Sequence, residues 1–479
     1  MAMPVLPDDI LLLICDNLLQ HNFATRNEIS SLLRVCRHWH SLFFSAAWRS
    51  IDVQEGWQIY PLVCTVRTNP KIGHAIRSLN VAWDFFSEET VDDIEMFRSL
   101  VEESSHSSEH SKEWIKYLQE GCPDAWLALL IPSLKNVTSL CLQFPHSPTF
   151  FMPMVARVAA GEKPFDLKPA FQKLEHVTVK MEDNPKAAYR AQDLLPFFSL
   201  PAMQSFSGNA ICEEEGWTYH EYPKPAPGTS GIKKLDLGSW GTNNGQNGFL
   251  NLLKLCKGLE SFEFQHDDQA IWGESFCPFR PGQFYTSLST QKHSLREIRL
   301  NNQGTHPWDP EVDFDEDLEL GTFGSMMEFH QLRELRIPWA TLLQVDSRNQ
   351  PTASFSEILP ASLEYLSLAD CRKEHFTMII EALRDLLKHR EKRFASLRIL
   401  EIQPYTVYRK PGANYVLWAD CLGVPQSTID MFAAVEIECQ KMGIHFRFCQ
   451  DGTHEIIGIR GHQTTNAVCV PFGSGGRRD

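Results

Sequence analysis

The stretch Leu363-Glu364-Tyr365-Leu366-Ser367-Leu368-Ala369-Asp370-Cys371 carries aliphatic residues in the order apolar-x-x-apolar-x-apolar and then a cysteine. The alternation through Leu366 and Leu368 has the two-residue period of a half-buried strand. The same order returns at Ile76/Leu79/Val81, Val137/Leu140/Leu142, Leu174/Val177/Val179, Ile232/Leu235/Leu237, Leu259/Phe262/Phe264, Leu295/Ile298/Leu300, Leu332/Leu335/Ile337 and Leu397/Leu400/Ile402. A weaker copy, Met203/Phe206/Gly208, falls where the gap between Val177 and Leu235 would otherwise be double. From Leu140 onward the middle apolar residues stand 27 to 37 residues apart. A strand motif at such a period marks stacked units that share one continuous core, since no unit buries its own apolar face alone. Between copies, segments such as 249–256 and 376–387 place apolar residues at helical spacing, so each unit reads as a strand followed by a helical return.

Over roughly residues 70–450 this pattern resembles leucine-rich repeats. The resemblance implies an α/β, irregular solenoid with parallel strands on a concave face and helices and loops on the convex face. Cys371 stands where the family usually has the Asn or Cys that satisfies the backbone of neighbouring turns, but Trp240, Asp267, Gln303 and Ala340 occupy that place in other copies. In this architecture the residues flanking the buried strand positions line the concave face. Lys180, Lys234, Glu263, Glu297, Arg299, Glu334, Arg336 and Tyr365 are therefore expected to bind a substrate, with Trp240 and Trp339 as aromatic anchors at the rim. So polar and mixed a surface suits a protein better than a lipid, which needs a deep apolar pocket.

The amino end reads differently. Pro7 followed by Asp8 and Asp9 starts a helix, with negative charge on its first turn where the helix dipole favours it. Ile10, Ile14 and the leucines beside them form a stripe wider than one packing contact requires. Ile29, Leu32, Leu33 and Cys36 form a second stripe, and Trp39, Leu42, Phe43 and Trp48 a third. A unit of about forty residues is near the lower limit for independent stability, so the surplus apolar surface calls for a partner.

The order of Leu6-Pro7-acidic-apolar, Val35-Cys36-Arg37-His38-Trp39 and Trp48 resembles an F-box. The resemblance implies a three-helix module over residues 1–52 that docks a Skp-type adaptor and through it a cullin. Pro7, Ile10, Leu11, Ile14, Val35, Cys36 and Trp39 would meet the adaptor, while Leu33, Leu42 and Trp48 would hold the module together. With the repeat domain over 53–450 and a carboxyl-terminal segment over 451–479, the chain looks like the F-box/leucine-rich-repeat proteins of fungal type. That family resemblance implies a substrate-recognition subunit of a ubiquitin ligase that performs no catalysis; the alternative is an interaction scaffold that delivers nothing for ubiquitination.

Composition sets outer bounds. The 479 residues are 43% hydrophobic and carry a formal charge of −15, from 45 basic and 60 acidic side chains. That balance disfavours nucleic acid and anionic membranes, which need clustered Lys and Arg, and favours a basic protein segment as ligand. No run of eighteen apolar residues and no basic leader with a long apolar core occurs, so a cytoplasmic or nuclear chain is expected. The 13 cysteines show no C-x-x-C pairs, which fits reduced, mostly buried thiols.

No phosphate loop, dinucleotide fingerprint or nucleophile elbow is present, and no cofactor is expected. His106-Ser107-Ser108-Glu109-His110 spells the H-x-x-E-H arrangement of a zinc peptidase class, but it lies in a polar, serine-rich run without an obvious third ligand. The run Glu102–Lys112 reads as a mobile surface loop ahead of a helix over Trp114–Leu130. Further loops are expected at Glu214–Gly231 and His306–Gly321, and a disordered tail after Phe472. Asp309, Asp313, Asp315 and Asp317 lack the Gly and Glu of a calcium loop. Cys36, His38 and His40 read as structural residues of the F-box and not as metal ligands.

Overall fold

The computed structural model describes residues 7–13, 31–82, 91, 94–143, 148–180, 189–213, 222, 225–238, 243–266, 279–301, 322–345, 351–404, 407–408, 417–418, 426–450 and 453–457. The chain divides into two compact units, the first comprising residues 1–295 and 304–321, the second 296–303 and 322–479.

At the amino end the Pro7 carbonyl accepts from the amides of Ile10 and Leu11, opening a helix over residues 8–13. A second helix, Arg37–Ala47, begins at Cys36, whose Sγ accepts from the Trp39 amide at 3.4 Å. Asp8 Oδ1 and His38 Nε2 lie 2.8 Å apart and tie the two helices together. Leu11 and Phe43 form a small core, with Leu32, Leu33, Trp39, Leu42 and Ala46 packed against it. Residues 31–32 are helical, and 14–30, where the rest of the second apolar stripe falls, lie outside the described residues. Cys36, His38 and His40 thus cap, pair with Asp8 and pack beside Phe44, which are structural tasks.

The repeats follow. In the first unit the strands are β1 (Ser50–Val53), β2 (Ser78–Ala82), β3 (Ser139–Gln143), β4 (His176–Lys180), β5 (Tyr189–Arg190), β6 (Ser205–Gly208), β7 (Ile211–Cys212), β8 (Lys234–Leu237) and β9 (Ser261–Gln265). Their main sheet runs β1-β2-β3-β4-β6-β8-β9, and each pair with a resolved register is parallel, while β5 and β7 make a separate two-stranded pair. The register aligns Ile51, Leu79, Leu140, Val177, Phe206, Leu235 and Phe262 in one row, each 4% exposed or less. The weak copy at Phe206 is therefore a true repeat. Its third position is Gly208 because a Cβ there would meet Val179 at 2.6 Å and Ile211 at 2.7 Å, so the Ile211 side chain already occupies that space.

In the second unit the strands are β10 (Glu297–Asn301), β11 (Glu334–Pro338), β12 (Tyr365–Cys371), β13 (Ile399–Pro404), β14 (Val407–Tyr408), β15 (Leu417–Trp418), β16 (His445–Gln450) and β17 (Thr453–Ile457). The order is β10-β11-β12-β13-β16 in parallel, closed by antiparallel β17. Ile298, Leu335, Leu366, Leu400 and Phe446 form the corresponding buried row. The returning helices include Phe376–Lys388 and Gln426–Lys441, joined by the edge-on contact of Phe376 with Phe432 at 5.2 Å.

Two expectations need correction. The run Glu102–Lys112 is not a loop: it contributes to the helices Arg98–Ser104 and Ser108–Gln119. The Ser107 hydroxyl caps the second of these by accepting from the His110 amide, and Ser104 and Ser111 turn inward, where their small size permits burial. The helix expected over Trp114–Leu130 is broken after Gln119 and restarts at Pro123. Its two tryptophans lock the halves together, Trp114 Nε1 donating to the Ala125 carbonyl and Trp126 Nε1 to that of Leu118. The expected shortage of ladder groups is compensated from elsewhere. Buried Asn243 accepts from the Ile211 amide at 2.9 Å, and buried Gln291 accepts from the Leu259 amide while donating to the carbonyls of Leu253 and Cys256. The loop at His306–Gly321, the acidic residues Asp309–Asp317 and the tail lie outside the described residues, as does most of the stretch at Glu214–Gly231.

Asp124 is the buried group on which the return layer of the first unit turns. Its two carboxylate oxygens accept from the amides of Phe150 at 2.7 Å and Phe151 at 3.0 Å, at the start of the helix Phe151–Ala160. Burial raises its pKa from 3.8 to about 6, partly opposed by those backbone bonds. Between these values the folded chain binds the proton more tightly than the unfolded chain, so this contribution to stability declines as pH rises from about 4 to about 6. In urea titrations Asp124→Ala should cost about 1–3 kcal/mol by leaving buried amides unpaired, and should remove that slope.

Candidate protein-interaction surfaces

Two surfaces remain uncovered by the packing just described. The first is apolar. A four-residue apolar run on a helix cannot turn every side chain to one core, and only Leu11 of residues 10–13 reaches Phe43, leaving Ile10 at 39%, Leu12 at 38% and Leu13 at 58% exposure. Val35, in the turn before the capped helix, is 60% exposed. Each is an apolar side chain left in solvent on a small module, the type of feature that marks an interaction site. Of the residues expected to meet an adaptor, Pro7, Ile10, Val35 and Cys36 are exposed. Ile14 lies outside the described residues. Leu11 is a correction, since its 7% exposure places it in the module's own core, and Trp39 is half-buried with its ring 5.4 Å from Phe43. Leu12 and Leu13 are not told apart from Leu11 by the sequence, since four apolar residues run consecutively there.

The second surface is the outward side of the strands, where the register sets side chains in rows. In the first unit one row is Asp52, Asn80, Cys141, Thr178, Ser207, Asp236 and Glu263, and the next is Ser50, Ser78, Ser139, His176, Ser205, Lys234 and Ser261. Small polar groups fill the middle and charges gather towards β8 and β9. Hydrogen bonds couple neighbours across strands, Asn80 to Asp52 at 2.7 Å, Thr178 with Ser207 at 2.9 Å and His176 with Ser205 at 2.8 Å. Lys180, Lys234 and Glu263 all stand on this side, as expected.

In the second unit the rows alternate in sign. Glu297, Glu334 and Tyr365 make one, and Arg299, Arg336, Ser367, Glu401 and Arg447 the other. Arg299 pairs with Glu297 at 2.6 Å and reaches Glu334 at 3.7 Å, with all three partly exposed. Further along, the face is filled by its own side chains. Glu401 is 3% exposed and accepts from the Tyr365 hydroxyl at 2.7 Å, Ser367 at 2.9 Å and Arg447 Nε at 2.6 Å, while Arg336 donates to Gln403 at 2.6 Å. Burial, with the neighbouring Glu401 carboxylate, pushes the Tyr365 phenol up to about 12, so it remains a donor. Arg447 also lies 5.5 Å over the Tyr365 ring. Tyr365 is thus part of a closed network, and the more open charges are those of β10 and β11. Arg447 was missed because its strand, His445-Phe446-Arg447-Phe448, lacks the first apolar residue of the motif, although its alternation is plain.

Trp339 is a second correction. It is 1% exposed, because the chain turns into the helix Trp339–Leu342 directly after β11 and carries the indole inward to lie 4.9 Å from His375. Trp240 lies outside the described residues. The H-x-x-E-H stretch straddles the Ser107 cap, so His106 precedes the helix that contains His110. Their rings lie 4.1 Å apart, tilted by 30°, and burial, then the charges of His106 and Arg157, hold His110 down at about 4.

The fold and these faces define a strand-and-helix repeat protein led by a small helical docking module. The description F-box-like matches residues 3–54 and that of a leucine-rich repeat domain matches residues 170–407, so the chain is an F-box/leucine-rich-repeat protein, a protein-interaction adaptor by its domain content. The matched repeat segment begins at residue 170, whereas the strands start at Ser50. No curated protein matches the chain.

The two ion-pair groups should separate cleanly in unfolding experiments. Glu401→Ala strands Arg447 in a largely buried site and should cost about 3 kcal/mol, whereas Glu334→Ala breaks an exposed pair and should cost less than about 1 kcal/mol.

Proposed function

We propose that the chain is the substrate-recognition subunit of a Skp/cullin/F-box ubiquitin ligase, working in the cytoplasm or nucleus. The observation that supports this most is the exposure of Ile10, Leu12, Leu13 and Val35 on a module whose described core is Leu11 and Phe43. Exposed apolar side chains of this kind suit a stable helical partner such as the Skp-type adaptor. The outward strand faces are polar and, among the described residues, show no deep apolar cleft, so their ligand is a protein segment, and the chain's charge of −15 favours a basic one. The chain then supplies no chemistry: it holds the substrate through Lys180, Lys234 and Glu263 on one unit, or Glu297, Arg299, Glu334 and Arg336 on the other, while a separate enzyme transfers ubiquitin.

Co-purification with the adaptor and cullin tests this. Wild-type chain should recover both, and a Leu13→Asp, Val35→Asp variant should lose both while its melting temperature stays unchanged, because neither side chain is buried. A folded wild-type chain that recovers no adaptor would sink the proposal. Adaptor recovered without cullin would leave a scaffold that delivers nothing.

A further inference from the structure

Among the described residues, strand β1 has β2 on one side and no strand on the other in the main sheet. The Ser78 amide donates to the Arg49 carbonyl, which fixes the phase of this parallel pair: Arg49, Ile51 and Val53 direct their backbone groups to β2. Ser50 and Asp52 therefore direct their amides and carbonyls the other way. That open edge borders a groove of about 790 Å³, with Ala47 and Trp48 on one bank and Trp57 and Pro61 on the other. Trp57 is 47% exposed, and its indole N–H donates to Glu55. Among the described residues Asp52 is the sole charged one lining the groove, and there its carboxylate accepts from the neutral amides of Gln54 and Asn80.

We infer that this groove takes an extended, lysine- or arginine-bearing segment of a partner protein, which adds a strand to the free edge of β1. An extended chain is the occupant whose backbone matches alternating free amides and carbonyls. Its side chains on one face would pack on the indoles of Trp48 and Trp57, and a cation among them would meet Asp52 and Glu55, with no basic side chain among the described lining residues to oppose it. This surface begins where the outward rows end, at Ser50 and Asp52, and uses the backbone edge of β1; it stands whether or not the chain recruits a ligase.

The probe is a fluorescein-labelled Thr-Val-Lys-Val-Lys-Val-Thr peptide titrated against the full chain by anisotropy. Saturable binding is expected, weakened by about tenfold or more when the pairing amides of the peptide are N-methylated, the worth of one or two net hydrogen bonds. Asp52→Pro should weaken it similarly. It removes an amide that faces away from β2 and so leaves the ladder intact, which an unchanged melting curve verifies. Trp57→Ala provides a second folded variant, and replacing the peptide's lysines by glutamates should abolish binding. Binding indifferent to N-methylation or to Asp52→Pro would overturn the inference, as would no binding by the folded chain. Slow hydrogen exchange at Ser50 and Asp52 in the free chain would overturn it by showing an edge already covered by the chain itself. A dimer in sedimentation that Asp52→Pro dissociates would do so by assigning the edge to a second copy.

Discussion

Everything in the repeat domain depends on the in-register stacking of one buried side chain per strand. Phe206 is enclosed because Val177 and Leu235 flank it, and each of those is enclosed by its own neighbour. A single unit of this kind has no inside; burial is a property of adjacency. Two further conditions follow at once. The backbone that connects a strand to its return must be satisfied locally, which Asn243, Gln291 and Asp124 do with side chains that bridge to the next turn. And the outward residues, freed from packing by strand alternation, are available for interaction.

The aliphatic motif was legible because burial in this fold demands the same residue type at the same place in every unit. Nine copies and the weak one at Phe206 lie on strands in the structure. The last parallel strand escaped because Gly443 stands at the leading position of Phe446-Arg447-Phe448, and the first because Trp48, which leads Ile51-Asp52-Val53, also closes the apolar pattern of the amino-terminal module. The helices at 98–119 were hidden by composition. Serine is read as loop when averaged over a window, yet Ser104, Ser107 and Ser111 are respectively a buried filler, a cap and a buried contact.

The faces were legible in outline and not in detail. Alternation told which side of each strand Lys180, Arg299 or Glu334 occupies, and the structure has them there. It could not tell which outward residues satisfy one another. Whether Tyr365 greets a partner or Glu401 depends on a strand 36 residues away, and the fate of Trp339 depended on a chain turn that no alternation encodes. In the docking module the pattern gave the apolar surplus, while its partition between Leu11 inside and Leu12 and Leu13 outside needed the position of Phe43.

The separation between successive buried residues varies from 27 residues, Leu235 to Phe262, to 61, Leu79 to Leu140, yet the strands bearing them are paired neighbours in both cases. Strand spacing is set by backbone hydrogen bonds at about 4.8 Å whatever the connecting length. Each outward row is therefore a ruler whose graduations do not move when the chain between them is lengthened. Insertions accumulate on the return side without altering the distance between Asp52 and Asn80, or between Asp236 and Glu263. Such a protein is free to change its bulk and keep its measure.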